Sequence, residues 1–148
     1  MSILSSTNSG TYYFKKPIED WITKELNLSS NDYDLVEIPN YGRKEPIYEI
    51  NVNDRDVNLN DYPNEQLPDY IQFGEIIGGN FLCAYSKLTT AKGFPRKVGR
   101  TFDCSFSKLT SLDGMPEIVD RDFICLDIPF TEEQIKASKI KVTGKIYS

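Results

Sequence analysis

The chain has 148 residues, 39% of them hydrophobic and 12% aromatic, which is enough for one compact domain with its own core. Its net charge of −5 is unevenly placed: residues 1–76 contain 14 acidic and 6 basic side chains, and residues 77–148 contain 8 acidic and 11 basic ones. This asymmetry indicates either two differently used surfaces or ordinary surface charge. The sequence contains no histidine, which excludes Ser-His and Cys-His nucleophile pairs and removes the commonest zinc ligand.

The cysteines and the hydropathy pattern bear on the compartment. Three cysteines without a CxxC pair argue against a disulfide framework and favour a reducing environment. No apolar run approaches the roughly 20 residues of a membrane span. The N-terminus also lacks a basic start followed by a long apolar block, as a secretory signal would have. We therefore expect a cytoplasmic protein that does not associate with a membrane.

Residues 1–55 predict a flexible start followed by a helix and two strands. The segment PIEDWITKEL, residues 17–26, predicts a short amphipathic helix with Pro17 in its first turn. Its apolar face consists of Ile18, Trp21, Ile22 and Leu26. Strands are predicted at residues 35–38 and 47–52, and a third, short strand is predicted at residues 56–60.

A period of 21 residues dominates the rest of the chain. The segment FLCAYSKLT, residues 81–89, is followed 21 residues later by FDCSFSKLT, residues 102–110. The columns in register are Ile77/Val98/Val119, Phe81/Phe102/Phe123, Cys83/Cys104/Cys125, Leu88/Leu109/Phe130, Thr89/Thr110/Thr131, Gly93/Gly114 and Pro95/Pro116. The third unit keeps the strand and then diverges. An earlier half-unit at residues 57–59 has the same apolar-polar-apolar form.

Such a repeat predicts a solenoid. Within residues 102–104 the side chains alternate, so Phe102 and Cys104 point to one side and Asp103 to the other. One strand cannot bury its apolar side alone, whereas strands stacked from successive laps bury a continuous column. The cysteines are therefore predicted to be small core residues. A metal-binding ladder is the alternative, but three thiols in a line do not make a tetrahedral zinc site.

The second unit reads V-x-x-x-F-x-C-x-x-S-x-L-x-x-L-x-x-M-P and resembles the leucine-rich repeat in its short bacterial form. Ser86 and Ser107 stand where that family has its asparagine ladder. The two clear units are also similar to short repeat proteins encoded by large tailed bacteriophages. The resemblance covers residues 56–131. It implies an α+β, mostly β fold, namely a short right-handed leucine-rich-repeat-like solenoid of about three to four laps.

Solenoid ends expose core and need covers. The N-terminal helix and hairpin are predicted to close the first lap with Trp21, Ile22, Leu35 and Ile50. At the other end, Thr131 as N-cap and Gln134 three residues later predict a capping box. Residues 132–148 are thus expected to form a C-terminal capping helix and a tail. The alternating tail KIKVTGKIYS predicts an additional edge strand.

Two clusters of charge suggest chemistry, and each has a simpler structural interpretation. Asp120, Asp122 and Asp127 could act as paired acids, although solvated charge at a strand entrance is the ordinary outcome. A basic cluster could contact nucleic acid, although the pI of about 4.8 and the charged rims common on solenoids argue against it. The cluster consists of Lys87, Lys92, Arg96, Lys97, Arg100 and Lys108, with Phe94 and Phe106 interleaved.

The outward strand positions are the predicted partner-binding surface. They vary from unit to unit while the inward columns are nearly invariant, so stacking does not set them. Leu82, Ile124 and Leu126 are apolar where solvent favours polar groups, which is typical of a contact surface. Coverage by the protein's own termini or by a dimer is the alternative. The predicted partner-binding residues are Asn80, Leu82, Ala84, Thr101, Asp103, Ser105, Asp122, Ile124 and Leu126.

These patterns favour a non-enzymatic protein-binding module without catalytic residues, metal or cofactor. The phage-like resemblance implies a phage-encoded inhibitor or modulator of a bacterial host protein, such as a defence or nucleic-acid-handling enzyme, acting in the host cytoplasm. Nucleic acid is not expected as a partner, and a homo-oligomer stays an open alternative. Two other functions also stay open. One is a structural, self-assembling phage component, and the other is an enzyme with its site in the N-terminal part, drawn from Tyr12, Tyr13, Asp32, Asp34 and Glu37.

Overall fold

The strands of this chain are short and most of them come in pairs separated by one corner. The computed structural model describes residues 7–39, 42 and 45–148, and the predicted flexible start lies largely outside them. The helices are α1 (Thr7–Trp21) and α2 (Glu132–Ala137), and a π-helical turn at Ile22–Leu26 follows α1. The strands are β1 (Tyr33–Ile38), β2 (Ile47–Asn53), β3 (Val57–Asn58), β4 (Phe73–Ile77), β5 (Phe81–Leu82), β6 (Lys97–Val98), β7 (Phe102–Asp103), β8 (Ile118–Val119), β9 (Phe123–Ile124), β10 (Lys141–Val142) and β11 (Ile146–Tyr147).

The strand pairs stack into a β-solenoid, as the repeat predicts. One strand of each pair joins sheet A, in the order β1-β2-β4-β6-β8-β10, and the other joins sheet B, in the order β11-β9-β7-β5-β3. Successive laps pair in parallel in both sheets, whereas β1 pairs antiparallel with β2. The stacked coil makes about four turns and is mostly β with helical caps, which confirms the predicted fold class.

The register of sheet B follows the 21-residue period. Phe81 pairs with Phe102, and Phe102 pairs with Phe123. The half-unit joins this row through Val57, which pairs with Phe81, and the tail joins it through Ile146, which pairs with Phe123. The tail therefore supplies a further lap with two strands, β10 and β11, where the sequence pattern predicts one edge strand.

Sheet A departs from the predicted register by one residue. Val98 pairs with Ile76, so the predicted column that begins at Ile77 is wrong. The corner from Ile76 to Phe81 is one residue longer than the corner from Val98 to Phe102, so a constant spacing cannot hold on both sides of it. Ile76 is fully buried, whereas Ile77 is 47% exposed.

The return sides at residues 83–96 and 104–117, all of which the structure describes, have no regular strand and are turned by glycine. Leu88 and Leu109 point into the core from this side and are buried. Gly93 and Gly114 then adopt φ angles of +87° and +80°, which side chains other than glycine rarely tolerate. The Gly-x-Pro turn predicted from the repeat thus occupies the same place in two successive laps.

A column of phenylalanine rings fills the space between the two sheets. Phe81 and Phe102 stack with ring centroids 5.9 Å apart and planes 11° apart, and Phe102 lies 5.0 Å from Phe123. Phe94 contacts both Phe81 and Phe102 from the return side. The three rings in sheet B are fully buried, so each lap supports the next.

The N-terminal helix closes the first lap but begins earlier than predicted. Its first residue is Thr7, so Pro17 lies inside the helix and not in its first turn. Proline removes one helical hydrogen bond, which is why the sequence pattern favours a start there, but α1 continues through it. Trp21 packs edge-on against Phe73 with centroids 6.2 Å apart, and Ile22 is fully buried.

The C-terminal helix begins where the sequence predicts. The N–H of Gln134 donates to Thr131 Oγ1 at 3.1 Å, and the N–H of Thr131 donates to Gln134 Oε1 at 2.9 Å. These two bonds complete the predicted capping box. Ile135 anchors the helix in the core, where it is fully buried.

Candidate protein-binding surface

The three cysteines form an inward column, as the repeat predicts. Each is a fully buried, free thiol. Burial raises the pKa of the Cys104 thiol well above its usual value and raises the pKa of Cys125 to about 11. Thiol chemistry needs the thiolate, which these surroundings disfavour at neutral pH. The cysteines therefore act as core residues.

The charged side chains on the outer face of sheet A connect neighbouring laps. Arg96 reaches Glu49 at 2.7 Å and Glu75 at 3.3 Å, so one guanidinium spans three laps. Lys97 lies 3.9 Å from the carboxylate of Asp120. Within the described ranges, no group of three His, Cys, Asp or Glu side chains is placed to hold a metal ion. These charges are arranged as lateral ion pairs and not as a converging site.

Leu82, Asp103 and Ile124 lie side by side on the outer face of sheet B. Leu82 pairs with Asp103, and Asp103 pairs with Ile124, in adjacent parallel strands. Neighbouring strands are about 4.8 Å apart, so the three side chains form one row. All three are half-buried, whereas the phenylalanine before and the cysteine after each of them in the chain are fully buried. Asn58 and Tyr147 extend the row at its two ends.

Two of the predicted partner-binding residues hold successive laps together at the corner. Asn80 Oδ1 accepts a hydrogen bond from the N–H of Thr101 at 2.8 Å. Asp122 Oδ1 accepts one from the N–H of Lys145 at 2.8 Å. Stacking therefore contributes to the choice of residue at these two positions, which the sequence pattern had assigned to partner binding alone.

Two further predicted residues are not on the surface. Ala84 and Ser105 are 8% and 3% exposed, so their predicted outward orientation is wrong. The N–H of Ala84 donates to Asn60 Oδ1 at 2.8 Å, and Ser105 Oγ accepts from the N–H of Leu126 at 2.9 Å. The strand ends one residue before the inward cysteine, so the in-out alternation of a strand stops there.

Two exposed aromatic rings that the repeat did not single out as binding residues stand at the end of sheet B. Tyr85 and Phe106 stack with centroids 4.8 Å and planes 5° apart. Their side chains are 61% and 39% exposed, and Leu126 beside them is 39% exposed. Both have a φ of +57°, and Asp61 and Asp127 take the same left-handed conformation in the flanking laps.

The left-handed corner explains why the strand pattern misses these rings. Continued alternation from Phe81 and Cys83 would turn Tyr85 inward. A signal was nevertheless present, since the third unit has Asp127 in the column of Tyr85 and Phe106. An aspartate does not fit a core column, so the column had to face solvent.

The row and the rings lie in one area, because they are neighbours along the chain. Tyr85 follows Leu82 by three residues, so the Cα atoms of these two residues lie within about 10 Å of each other. We call this area the sheet B surface. It consists of Leu82, Asp103, Ile124, Tyr85, Phe106 and Leu126.

The fold and this area define a stacked-coil β-solenoid with an apolar and aromatic outer face. Comparison with family models, with curated proteins and with solved structures finds no match for this chain. None of the helices in the described part of the chain is both long and apolar enough to cross a membrane.

Proposed function

We propose that this protein is a non-enzymatic binding module that contacts a protein partner through the sheet B surface. The observation that carries the proposal is the exposed stack of Tyr85 and Phe106. Exposed aromatic rings next to apolar side chains such as Ile124 and Leu126 are typical of protein contact surfaces. Such rings frequently supply a large share of the binding energy.

The two rings are held in place before a partner arrives. The N–H of Tyr85 donates to the C=O of Ser105 at 2.9 Å, and the N–H of Phe106 donates to the C=O of Leu126 at 2.8 Å. The left-handed conformation of each residue costs on the order of 1 kcal/mol. Rings that are ordered in this way lose little conformational entropy on binding. The same corner recurs at Asp61 and Asp127, and it presents the stacked pair outward in a fixed arrangement, which favours a role in recognition.

The charge of Asp103 gives the surface a preference in partner. It lies in the middle of the row, between Leu82 and Ile124, where its neighbours are apolar. A partner with an apolar patch and one basic group opposite Asp103 would match this arrangement. A second acidic group at that place would be repelled.

A catalytic role for the N-terminal part has less support. The carboxylate of Asp32 accepts a hydrogen bond from the N–H of Ser29 at 2.8 Å and another from Arg55 at 3.2 Å. The bond from Ser29 is the main cause of a pKa below the usual value, and a carboxylate held ionised is a weak general base. The side chains of the other candidates Tyr12 and Tyr13 lie outside those that the structure describes.

The resemblance to repeat proteins of large tailed phages makes a bacterial host protein the first partner to test. A small module without its own chemistry would act on such a protein by covering a surface. The role that follows is that of an inhibitor or modulator, with a host defence or nucleic-acid-handling enzyme as the target class.

Affinity capture from bacterial lysate with matched variants tests the proposal. The wild type is expected to retain one partner in stoichiometric amount, and Tyr85→Ala/Phe106→Ala to retain at least about tenfold less. Tyr70→Ala is the control, because Tyr70 is a similarly exposed aromatic residue, 49% accessible, that lies beside Lys16 and Asp20 of the N-terminal helix and outside the sheet B surface.

Equal retention by the wild type and by a folded Tyr85→Ala/Phe106→Ala variant would refute this location of the contact. Turnover of a substrate by the purified chain, abolished by substitution of Asp34 or Glu37, would instead support the enzymatic alternative. A cooperative thermal melt of each variant establishes that loss of capture is not loss of fold.

A further inference from the structure

The inward-facing residues of the solenoid are less buried in the last lap than in the laps before it. Val98 and Val119 in sheet A and Phe123 in sheet B are fully buried. Their counterparts in the last lap, Val142 and Ile146, are only half-buried. The helix α2 thus leaves the last lap partly open, whereas Ile50, Val52 and Val57 at the other end, where α1 lies, are fully buried.

The last strand of sheet A also has an open hydrogen-bonding edge. β10 ends the order of sheet A and pairs with β8 on one side. The N–H groups of Lys141 and Thr143 donate to the C=O groups of Glu117 and Val119, at 2.8 and 3.0 Å. Because N–H groups alternate in direction along a strand, the N–H of Val142 points away from β8. An additional strand can therefore pair with β10.

The positive charge around β10 favours pairing with a negatively charged strand. Residues 136–148 contain four lysines and no acidic residue. Lysines on an edge strand protect it from pairing with another copy of the same edge, because the like charges repel. The same lysines attract a strand of opposite charge.

The other edge of sheet A, formed by β1, is negatively charged. β1 is the terminal strand at this edge, and residues 19–37 contain six acidic residues and one lysine. Asp34 and Val36 lie opposite Asn51 and Glu49 of β2, on the outer face of sheet A, and both are exposed, Val36 by 45%. Glu37, also exposed, adds a further negative charge.

We propose that β10 of one copy pairs with β1 of a second copy, so that sheet A continues from molecule to molecule. β1 runs antiparallel to the laps of its own sheet, so it meets β10 of the preceding copy as an antiparallel partner when the laps of both copies run in one direction. The contact is head to tail and does not close on itself, so it builds open chains of copies. This contact between copies does not involve the residues of the sheet B surface.

Sedimentation velocity of the purified protein over a range of concentrations tests this contact. The wild type is expected to shift from the 16.9 kDa monomer to larger species as the concentration rises. Because opposite charges drive the contact, raising the salt from about 0.05 M to about 0.5 M is expected to weaken it at least about tenfold. A wild type that stays monomeric at every concentration in low salt overturns the proposal.

Charge variants at the two ends identify the surfaces. The tail variant is Lys139→Glu/Lys141→Glu, and the head variant is Val36→Lys/Glu37→Lys. In the tail variant positions 139 and 141 become acidic, like Asp34 and Glu37 of the head, and in the head variant positions 36 and 37 become basic, like Lys139 and Lys141 of the tail. Each variant alone therefore brings like charges together and is expected to remain monomeric. A mixture of the two is expected to associate again, because opposite charges then meet at every contact. Lys108→Glu, at an exposed lysine on the return side, is the control and is expected to associate like the wild type.

The head variant also separates this contact from a tail-to-tail dimer. If two lysine-rich ends met each other, the head variant would associate like the wild type, and that result overturns the proposal. Failure of the mixture to associate while both variants melt cooperatively overturns it as well. If a double substitution prevents folding, the single variants Lys141→Glu and Glu37→Lys replace the double ones. Each is expected to associate less than the wild type, by a smaller margin than the double variants. If both self-associate as strongly as the wild type does, the head-to-tail contact is overturned.

Discussion

Replacing Phe102 by alanine removes the central ring of the core column. Phe102 is fully buried and contacts three other rings, Phe81 at 5.9 Å, Phe123 at 5.0 Å and Phe94 at 6.0 Å. A buried Phe→Ala substitution costs about 3–5 kcal/mol. Aromatic pairs contribute about 0.5–1.5 kcal/mol each beyond the area that they bury, so three lost pairs place this variant at the upper end of that range. The loss is comparable to the whole stability of a small domain, about 5–15 kcal/mol.

Urea unfolding followed by circular dichroism measures this loss. Phe106→Ala is the matched control, because it makes the same change in the same lap at an exposed ring with one stacking neighbour, and it is expected to cost less than about 1 kcal/mol. A Phe102→Ala variant that unfolds within about 1 kcal/mol of the wild type would refute the argument that the ring column holds the laps together. Equal losses in the two variants would refute it too.

Two other changes test the interior of the laps. The hydroxyl of Ser86 is buried and has no hydrogen-bond partner among the described residues, whereas Ser107 Oγ donates to the C=O of Cys104 at 2.7 Å. Ser86→Ala is therefore expected to leave the unfolding free energy unchanged or higher, and Ser107→Ala to lower it by about 1 kcal/mol, as measured by urea unfolding; the reverse order would contradict this assignment. Because burial raises the pKa of Cys104 and of Cys125, the unfolded chain releases thiol protons first, so stability contributed by these thiols is complete below about pH 8.5 and falls as the pH rises toward 11. Cys104→Ala should lose part of that slope, and rapid labelling of native Cys104 by a thiol reagent would disprove its burial.

The sequence predicts sheet B well because stacking repeats one demand in every lap. Phe102 must meet a ring of similar size above and below, so the 21-residue spacing of Phe81, Phe102 and Phe123 is both a sequence pattern and a register. The capping box of α2 is predictable for a related reason, since Thr131 and Gln134 satisfy each other within four residues. In both features the contacting residues are separated by a fixed number of residues in the sequence.

Features that depend on corner geometry left at most an indirect signal in the repeat pattern, such as Asp127 in the column of Tyr85 and Phe106. The longer corner after Ile76 shifts the register of sheet A by one residue, and nothing in the spacing of the phenylalanines reports it. The left-handed corner that turns Tyr85 outward is likewise set by φ and not by residue type, since tyrosine and phenylalanine rarely adopt it. The candidate surface was therefore predicted in part: the row of Leu82, Asp103 and Ile124 was identified, and the stacked rings were missed.

The constant 21-residue register of Phe81, Phe102 and Phe123 in sheet B means that the solenoid is built from laps of equal thickness. The laps of Phe81, Phe102 and Phe123 repeat the same inward phenylalanine and cysteine, so a lap of this type has a matching surface on both sides. One more copy of residues 99–119 would add a layer of about 4.8 Å and a third ring to the stack of Tyr85 and Phe106. The length of the solenoid and the area of its sheet B surface would therefore grow together, in whole laps and without any change in its core.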